Sequence, residues 1–142
     1  MKNKIFVGEF IGSALLVMAI VGSGIMAESL TNDTAVMLLA NAVATGAALY
    51  FLIVSISDIS GAHFNPFVTL AMYLSKKIKS QLLPVYFTAQ ILGCLTGVML
   101  ANFFFDYSLI ELSSKSRSGI NVFVSEIIAV SYTHLRAHET SD

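Results

Sequence analysis

Three long runs of apolar residues dominate the pattern of the chain. They cover residues 5–27, 35–57 and 82–105, and the only charged side chain inside them is Glu9. Because about 20 apolar residues of helix cross the hydrocarbon core of a bilayer, each run is long enough to span it. A fourth apolar run, residues 120–129, is too short to cross and is interpreted as the start of a further helix. The pattern predicts an all-α membrane protein with three transmembrane helices.

The break between the second and third runs fits neither a spanning helix nor a simple loop. The sequence SISDISGAHFNPFVTLAMY, residues 55–73, places Asp, His and Asn-Pro between two apolar blocks. Asn65 is a typical N-cap and Pro66 suits the first helical position, so a short helix is predicted over residues 65–75. It is too short to span and too apolar for water, which favours a re-entrant half-helix. Irregular backbone at membrane depth is tolerated along a water-filled cavity, so the break is predicted to line a pore.

Composition and charge position agree with this interpretation. The chain of 142 residues is 56% hydrophobic and 12% charged, whereas a soluble domain carries about a quarter charged residues. The net charge of −1 gives no indication of a nucleic-acid partner, and the single cysteine, Cys94, excludes a disulfide within one chain. By the positive-inside rule a cytoplasmic N-terminus is predicted, as in a bacterial inner membrane, from the lysines at positions 2, 4, 76, 77 and 79. A secretory signal peptide would also begin with lysines, but the length of the first run and Glu9 argue against one.

A short internal repeat relates the two ends of the chain. FVGEFIG at residues 6–12 recurs as FVSEIIA at residues 123–129, with Glu9 and Glu126 in the same place. Three crossings separate the copies, so the second copy would enter the membrane from the opposite side. This arrangement is typical of the inverted repeats of membrane transport proteins.

With these motifs the chain resembles the major intrinsic protein family, the aquaporins and glycerol facilitators. SGAHFNPFVTLA at residues 60–71 is similar to the first signature loop of the family, and GEFIGS at 8–13 and YFTAQILGCLTG at 86–97 resemble further family positions. The resemblance covers residues 4–129, about the first half of a family member. It implies an aquaporin-like helical bundle in which six crossings and two half-helices, each beginning with Asn-Pro-Ala, form a pore. Family subunits usually assemble as homotetramers.

The chain departs from the family pattern in three ways. Phe67 stands at the alanine of Asn-Pro-Ala, where its ring would either alter how two half-helices abut or narrow the pore. Thr45, followed by Gly46, stands where the outer selectivity filter usually has an aromatic residue, which implies a wider or more polar filter. The second half of a family member, with its own Asn-Pro-Ala and the filter arginine, is absent.

The end of the chain is abruptly polar. Residues 130–142 resemble the translation of a sequencing adapter, so we interpret residues 1–129 as a truncated aquaporin-like transmembrane domain followed by a non-native tail. His134 and His138 have the spacing of a helical metal pair, but they have no third ligand. No metal site and no cofactor is predicted.

Individual side chains receive roles from the resemblance and from their chemistry. Asn65 is expected to cap the half-helix and to donate its amide N–H to passing solutes, while Pro66 fixes the first turn. Glu9 and Glu126 are intramembrane carboxylates that need partners, and holding the backbone N–H groups of a re-entrant loop is favoured over proton transfer. His63 is expected either to line the cytoplasmic vestibule or to be a structural histidine. Close helix packing is expected at Gly12, Gly46, Gly93 and Gly97.

The predicted function is the passive passage of water or small neutral solutes through the bilayer. Thr45 leaves glycerol-like molecules or uncharged metalloid acids as further solutes. Two alternatives stay open: a truncated fragment that conducts nothing, and a membrane enzyme that uses Glu9, Asp58 and His63. The expected partners are the lipid bilayer, the solutes and, for the full-length protein, further copies of the chain.

Overall fold

The structure is a computed structural model that describes residues 2–110, 119–125 and 127–128. Within these ranges the chain is helical and contains no strand. The elements are α1 (Lys2–Leu30), α2 (Thr34–Ser60), α3 (Pro66–Leu74) and α4 (Leu83–Phe104), with a 3₁₀ turn (Ser80–Leu82) directly before α4. Residues 120–125 are also helical. Three of the helices are long and apolar enough to cross a membrane, which confirms the predicted all-α class.

The first helix extends beyond the apolar run that predicted it. α1 has 29 residues, which corresponds to about 43 Å of helix at 1.5 Å per residue. The hydrocarbon core is about 30 Å thick, so both ends of α1 reach the headgroup regions. The apolar run marked only the part of the helix that requires an apolar environment.

A tight connection joins the first two helices. The backbone N–H of Thr31 donates to the carbonyl of Ala27 (3.2 Å) at the end of α1. Asp33 then caps α2, because its Oδ1 accepts from the backbone N–H groups of Ala35 (2.8 Å) and Val36 (3.3 Å). Only three residues separate the helices, so α1 and α2 are antiparallel neighbours.

Glycines allow α4 to lie directly on the backbone of α1. A Cβ added at Gly93 would lie 2.5 Å from the carbonyl oxygen of Phe10, and one added at Gly97 would lie 2.3 Å from that of Ala14. Two small residues four positions apart let helix backbones approach closely in lipid, where van der Waals packing is a main source of association energy. The α1–α4 contact is therefore specific to glycine at these two positions.

Interhelical contacts also fix α2 against α1. At one end, a Cβ on Gly8 would lie 2.9 Å from Cβ of Ser60. Nearer the other end, Nδ2 of Asn41 donates to the carbonyl of Ile20 (2.8 Å) and to Oγ of Ser23 (3.0 Å). Between them lies an apolar cluster of Leu16, Leu49, Leu52, Ile53, Ile56, Ala62 and Phe64. The start of α1 and the end of α2 consequently lie at the same end of the bundle.

Replacing Gly97 by alanine tests the α1–α4 contact. The added Cβ cannot be placed without moving the two backbones apart, and overpacking of this kind costs about 2 kcal/mol. Heating the detergent-purified protein and measuring the monodisperse fraction by size exclusion should show a midpoint several degrees below that of the unchanged chain. Gly46→Ala is the matched control, because no atom lies within 4 Å of a Cβ added at Gly46. Equal losses for the two variants would contradict the proposed role of Gly97.

Candidate functional site

The connection between α2 and α3 has an unusual backbone. Three of its five residues have positive φ: Gly61 (89°), Ala62 (49°) and Phe64 (51°). Glycine adopts this region readily, but other residues do so at a cost and need support from their surroundings. We call residues 61–65 the re-entrant loop. Its conformation requires partners from outside the loop.

Glu9 of α1 supplies most of that support. Its Oε1 accepts hydrogen bonds from Oγ of Ser60 (2.7 Å) and from the backbone N–H of His63 (2.9 Å). Its Oε2 accepts from the backbone N–H of Phe64 (2.7 Å) and from Nε2 of Gln90 (2.8 Å). Glu9 is completely buried, and a buried carboxylate is tolerated only when it is hydrogen-bonded or paired. Four donors from three segments meet that requirement and hold the loop against α1.

Thr69 and Gln90 connect the re-entrant loop to α3 and α4. Nε2 of Gln90 also donates to Oγ1 of Thr69 (2.9 Å), and Oγ1 of Thr69 donates to the carbonyl of Asn65 (3.1 Å). Nδ1 of His63 lies 3.1 Å from the same Thr69 oxygen. Gln90 and Thr69 are both completely buried. This network sets the orientation of α3 relative to Glu9.

His63 is packed against Tyr86 at the start of α4. The two rings stack with centroids 4.5 Å apart and planes 15° apart. The hydroxyl of Tyr86 donates to the carbonyl of Ser60, and only 4% of His63 is exposed. The ring of His63 therefore fills space between the loop and α4.

The first turn of α3 is formed as the sequence predicts. Asn65 caps the helix, because its side-chain Oδ1 accepts from the backbone N–H of Phe67 (2.7 Å). Its backbone carbonyl accepts from the backbone N–H of Thr69 (3.0 Å). Pro66 is the first helical residue and loses no hydrogen bond there. Asn65 is half-buried, whereas Pro66 and Phe67 are exposed, Phe67 by 43%. The cap uses the side-chain oxygen Oδ1 of Asn65, so the Nδ2 group of the same side chain remains free to donate to another acceptor.

A comparison with known protein families identifies the family to which this chain belongs. A sequence model described as "Major intrinsic protein" matches residues 1–136. The chain belongs to the major intrinsic protein family. The match continues past residue 129, and residues 130–142 lie outside the described residues, so the origin of the tail stays a prediction.

Relatives in this family come from distant organisms. An aquaglyceroporin of Rhizobium meliloti, AqpS, is 44% identical over 123 residues, which cover 87% of this chain and 53% of that protein. Aquaporin A of Dictyostelium discoideum is 39% identical over 94 residues, and Aquaporin-8 of Rattus norvegicus is 39% identical over 93 residues; each match covers 66% of this chain and 34% of the relative. The chain thus spans about half the length, or less, of the curated relatives it matches.

The structure brings together some of the residues that the major intrinsic protein motifs singled out. Glu9, His63 and Asn65 belong to one connected network with the re-entrant loop. A Cβ on Gly12 would lie 2.0 Å from a ring carbon of Phe64, so this glycine makes room for the loop. Thr45 lies apart on α2, where its Oγ1 is buried and has no hydrogen-bond partner among the described residues. Glu126 lies outside the described residues.

Sequence reasoning missed several members of the Glu9 network. Ser60, Thr69, Tyr86 and Gln90 were not singled out, although two of them lie in the signature loop and two in the third apolar run. The strongest available signal was Gln90, a polar residue in the middle of a spanning segment, where an amide needs a partner. Its spacing of four from Tyr86 places both side chains on one helix face.

Replacing Glu9 by glutamine tests the network. One carboxylate oxygen becomes an NH₂ group, which faces a donor instead of accepting from it and leaves at least one buried donor unsatisfied, at a cost of about 3 kcal/mol. We expect the Glu9→Gln variant to lose most of its monodisperse fraction in detergent and to expose the loop to proteolysis. Asp58→Asn is the matched control, because Asp58 is an exposed carboxylate near the same end of α2. A Glu9→Gln variant as stable as Asp58→Asn would contradict the scaffold role.

Proposed function

We propose that the chain is one half of a passive transmembrane channel for water and small neutral solutes. The observation that carries this proposal is the start of α3, where Asn65 caps the helix with its amide oxygen at 2.7 Å from the N–H of Phe67. The same amide presents Nδ2 as a donor beside a helix N-terminus. A single side chain therefore combines the cap with a hydrogen-bond donor for a solute oxygen.

The mechanism we propose follows from this geometry. The positive end of the α3 dipole disfavours cations at the site. A neutral solute that passes would exchange part of its hydration for hydrogen bonds to Nδ2 of Asn65 and to backbone carbonyls of the re-entrant loop. Because Glu9 holds the loop, these groups do not have to reorganise as the solute arrives.

Membership of the major intrinsic protein family supports a passive channel rather than an enzyme. The relatives are named aquaporins and, for the Rhizobium protein, an aquaglyceroporin, which supports water together with glycerol-like solutes. The four hydrogen bonds to Glu9 occupy its carboxylate, and Asp58 is exposed on α2. This arrangement supports a scaffold role for Glu9 and the structural alternative for His63.

The position of Phe67 suggests how the other half of the channel would meet this one. Its ring is 43% exposed and lies beside Asn65 at the start of α3. We propose that a second half-helix packs against this ring, and that the ring sets the spacing between the two. For the full-length protein we further propose a homotetramer in a bacterial inner membrane. The lysines near the start of α1 and before α4 support a cytoplasmic N-terminus for it.

A chimaera provides the test of the channel proposal. Residues 1–128 would be joined to the second half of AqpS, the relative with 44% identity, and reconstituted in liposomes beside the unmodified chain. After an osmotic shock, light scattering should show faster shrinkage for the chimaera than for empty liposomes. A chimaera that inserts and is monodisperse but adds no permeability would overturn the proposal. The chain of residues 1–142 alone should add none, because the proposed constriction needs a second half-helix.

Two substitutions of Asn65 separate the cap from the donor. Asn65→Asp keeps the capping oxygen but replaces Nδ2 by a negatively charged oxygen, so thermal stability should be retained while water permeability of the chimaera falls at least about tenfold. Asn65→Ala loses both functions and should in addition cost about 1 kcal/mol of stability. Unchanged permeability in Asn65→Asp would show that the asparagine acts only as a cap.

A substitution of Thr45 tests the selectivity filter. An aromatic ring at this position would narrow a passage that Thr45 leaves open, so Thr45→Phe in the chimaera should reduce glycerol uptake much more than water permeability. Thr45→Ser keeps a small hydroxyl side chain and serves as the control. Equal reductions of water and glycerol flux would place Thr45 outside the filter.

A further inference from the structure

The hydroxyl group of Thr45 on α2 is covered, although the residue as a whole is not. Its Oγ1 atom is buried and has no hydrogen-bond partner among the described residues, while the residue is half-buried. The exposed part of Thr45 therefore belongs to its other atoms. Because the side chains around a helix largely cover its backbone, this exposed surface lies chiefly on the Cγ2 methyl group.

The neighbours of Thr45 on the same face of α2 show where the hydroxyl lies. Asn41 and Leu49 are four residues before and four residues after it, so the three side chains share one face. Nδ2 of Asn41 donates to the carbonyl of Ile20 on α1 (2.8 Å), and Leu49 is buried in an apolar cluster with Leu16 of α1. This face packs against α1, which places the hydroxyl of Thr45 in the α1–α2 interface. The two γ substituents of a β-branched side chain diverge, so the methyl group points away from that interface.

Two threonines on α4 use their hydroxyl groups differently. Oγ1 of Thr88 donates to the carbonyl of Pro84 (2.7 Å), and Oγ1 of Thr96 donates to the carbonyl of Leu92 (2.8 Å). Thr45 makes no such bond to the preceding turn, so its hydroxyl is buried and unpaired in the described part of the chain. Further elements of a full-length channel could only add cover to an atom that this half already buries. A passing solute would therefore not reach the hydroxyl.

We propose that Thr45 takes part in the selectivity filter through its methyl group and not through its hydroxyl. This inference rests on the proposed channel function and on the filter position of Thr45. The side that α2 presents to the passage is then apolar at this point, and it limits the width of a solute without offering a hydrogen bond. Neutral solutes are sorted here by their width and not by the number of hydroxyl groups they carry. Threonine at this position makes the filter wider, but not more polar.

Two substitutions locate the hydroxyl without any need for a working channel. Thr45→Val replaces Oγ1 by a methyl group of similar size and so removes a buried group that has no partner. When the full chain is heated in detergent, the midpoint of its monodisperse fraction should rise by a few degrees. Thr45→Ser keeps the hydroxyl and removes a methyl group that lies outside the α1–α2 interface. Its midpoint should stay within about 2 °C of that of the unchanged chain.

The opposite orientation of the side chain gives the opposite pattern, which would overturn the proposal. If the methyl group lay in the interface, Thr45→Ser would leave a small cavity and lower the midpoint. If the hydroxyl were exposed, Thr45→Val would remove no buried unpaired group and would not raise the midpoint. A Thr45→Val chain no more stable than the Thr45→Ser chain would contradict the inference in the same way.

Glycerol uptake by the AqpS chimaera tests the methyl group in the filter. Because Thr45→Ser removes this group from the passage, glycerol permeability of the liposomes should rise about twofold, with a smaller change for water. One methylene group is worth about tenfold or more in an enclosed pocket, and the effect is smaller here because the side chain forms only part of the wall. This rise is opposite in sign to the reduction expected for Thr45→Phe.

The outcomes of the uptake experiment separate this inference from the proposed function. A Thr45→Ser chimaera that conducts water but takes up glycerol no faster than the unchanged chimaera would overturn the role of the methyl group. A chimaera that inserts and conducts nothing would instead contradict the proposed function. In that case the two midpoints would still decide where the hydroxyl of Thr45 lies.

Discussion

The fold depends on one buried carboxylate. Glu9 accepts four hydrogen bonds, from Ser60, from Gln90 and from two backbone N–H groups of the re-entrant loop. The two backbone N–H groups lie in a loop with three positive φ values, and at membrane depth there is little water to accept from them. Only a carboxylate offers two acceptor oxygens that both accept more than one bond. The position of α3, and with it the direction of the Asn65 amide, follows from this interaction.

The glycine contacts and the Glu9 network require one another. A side-chain hydrogen bond of 2.8 Å between Glu9 on α1 and Gln90 on α4 needs the two helix axes to be close. Gly93, which lies less than one turn from Gln90, removes the side chain that would otherwise separate them. In turn, the network fixes how α1 and α4 are aligned along their length. If either helix moved by one turn, Gln90 would be buried without its hydrogen-bond partners. Packing and polar satisfaction thus select the same arrangement.

Features set by neighbouring residues could be predicted from the sequence, whereas contacts between distant parts of the chain could not. The three spans and the Asn65 cap follow from patterns within a few residues, and these are where expectation and structure agree. Partners of Glu9 lie 51 to 81 residues away in the chain, and a polar residue in an apolar run indicates that a partner exists without indicating which one. Gly46 and Gly97 look alike in the sequence, yet only Gly97 has backbone atoms against it. Which face of an evenly apolar helix meets a neighbour is decided by the whole bundle.

The distribution of exposure around the re-entrant loop separates what this chain determines from what a second half would add. Ala62, His63 and Phe64 are buried against α1, α2 and α4, all within the described residues. Pro66 and Phe67, on the next turn, are exposed. The hydrogen bonds described above hold the loop from within this chain, while the exposed ring and proline form a surface on which a further element can pack. In the proposed channel of two inverted repeats, this division would let each half form its own half-helix before the two meet. The constriction would then be assembled from two surfaces that are already ordered, and the cost of shaping the loop backbone would be met within each half.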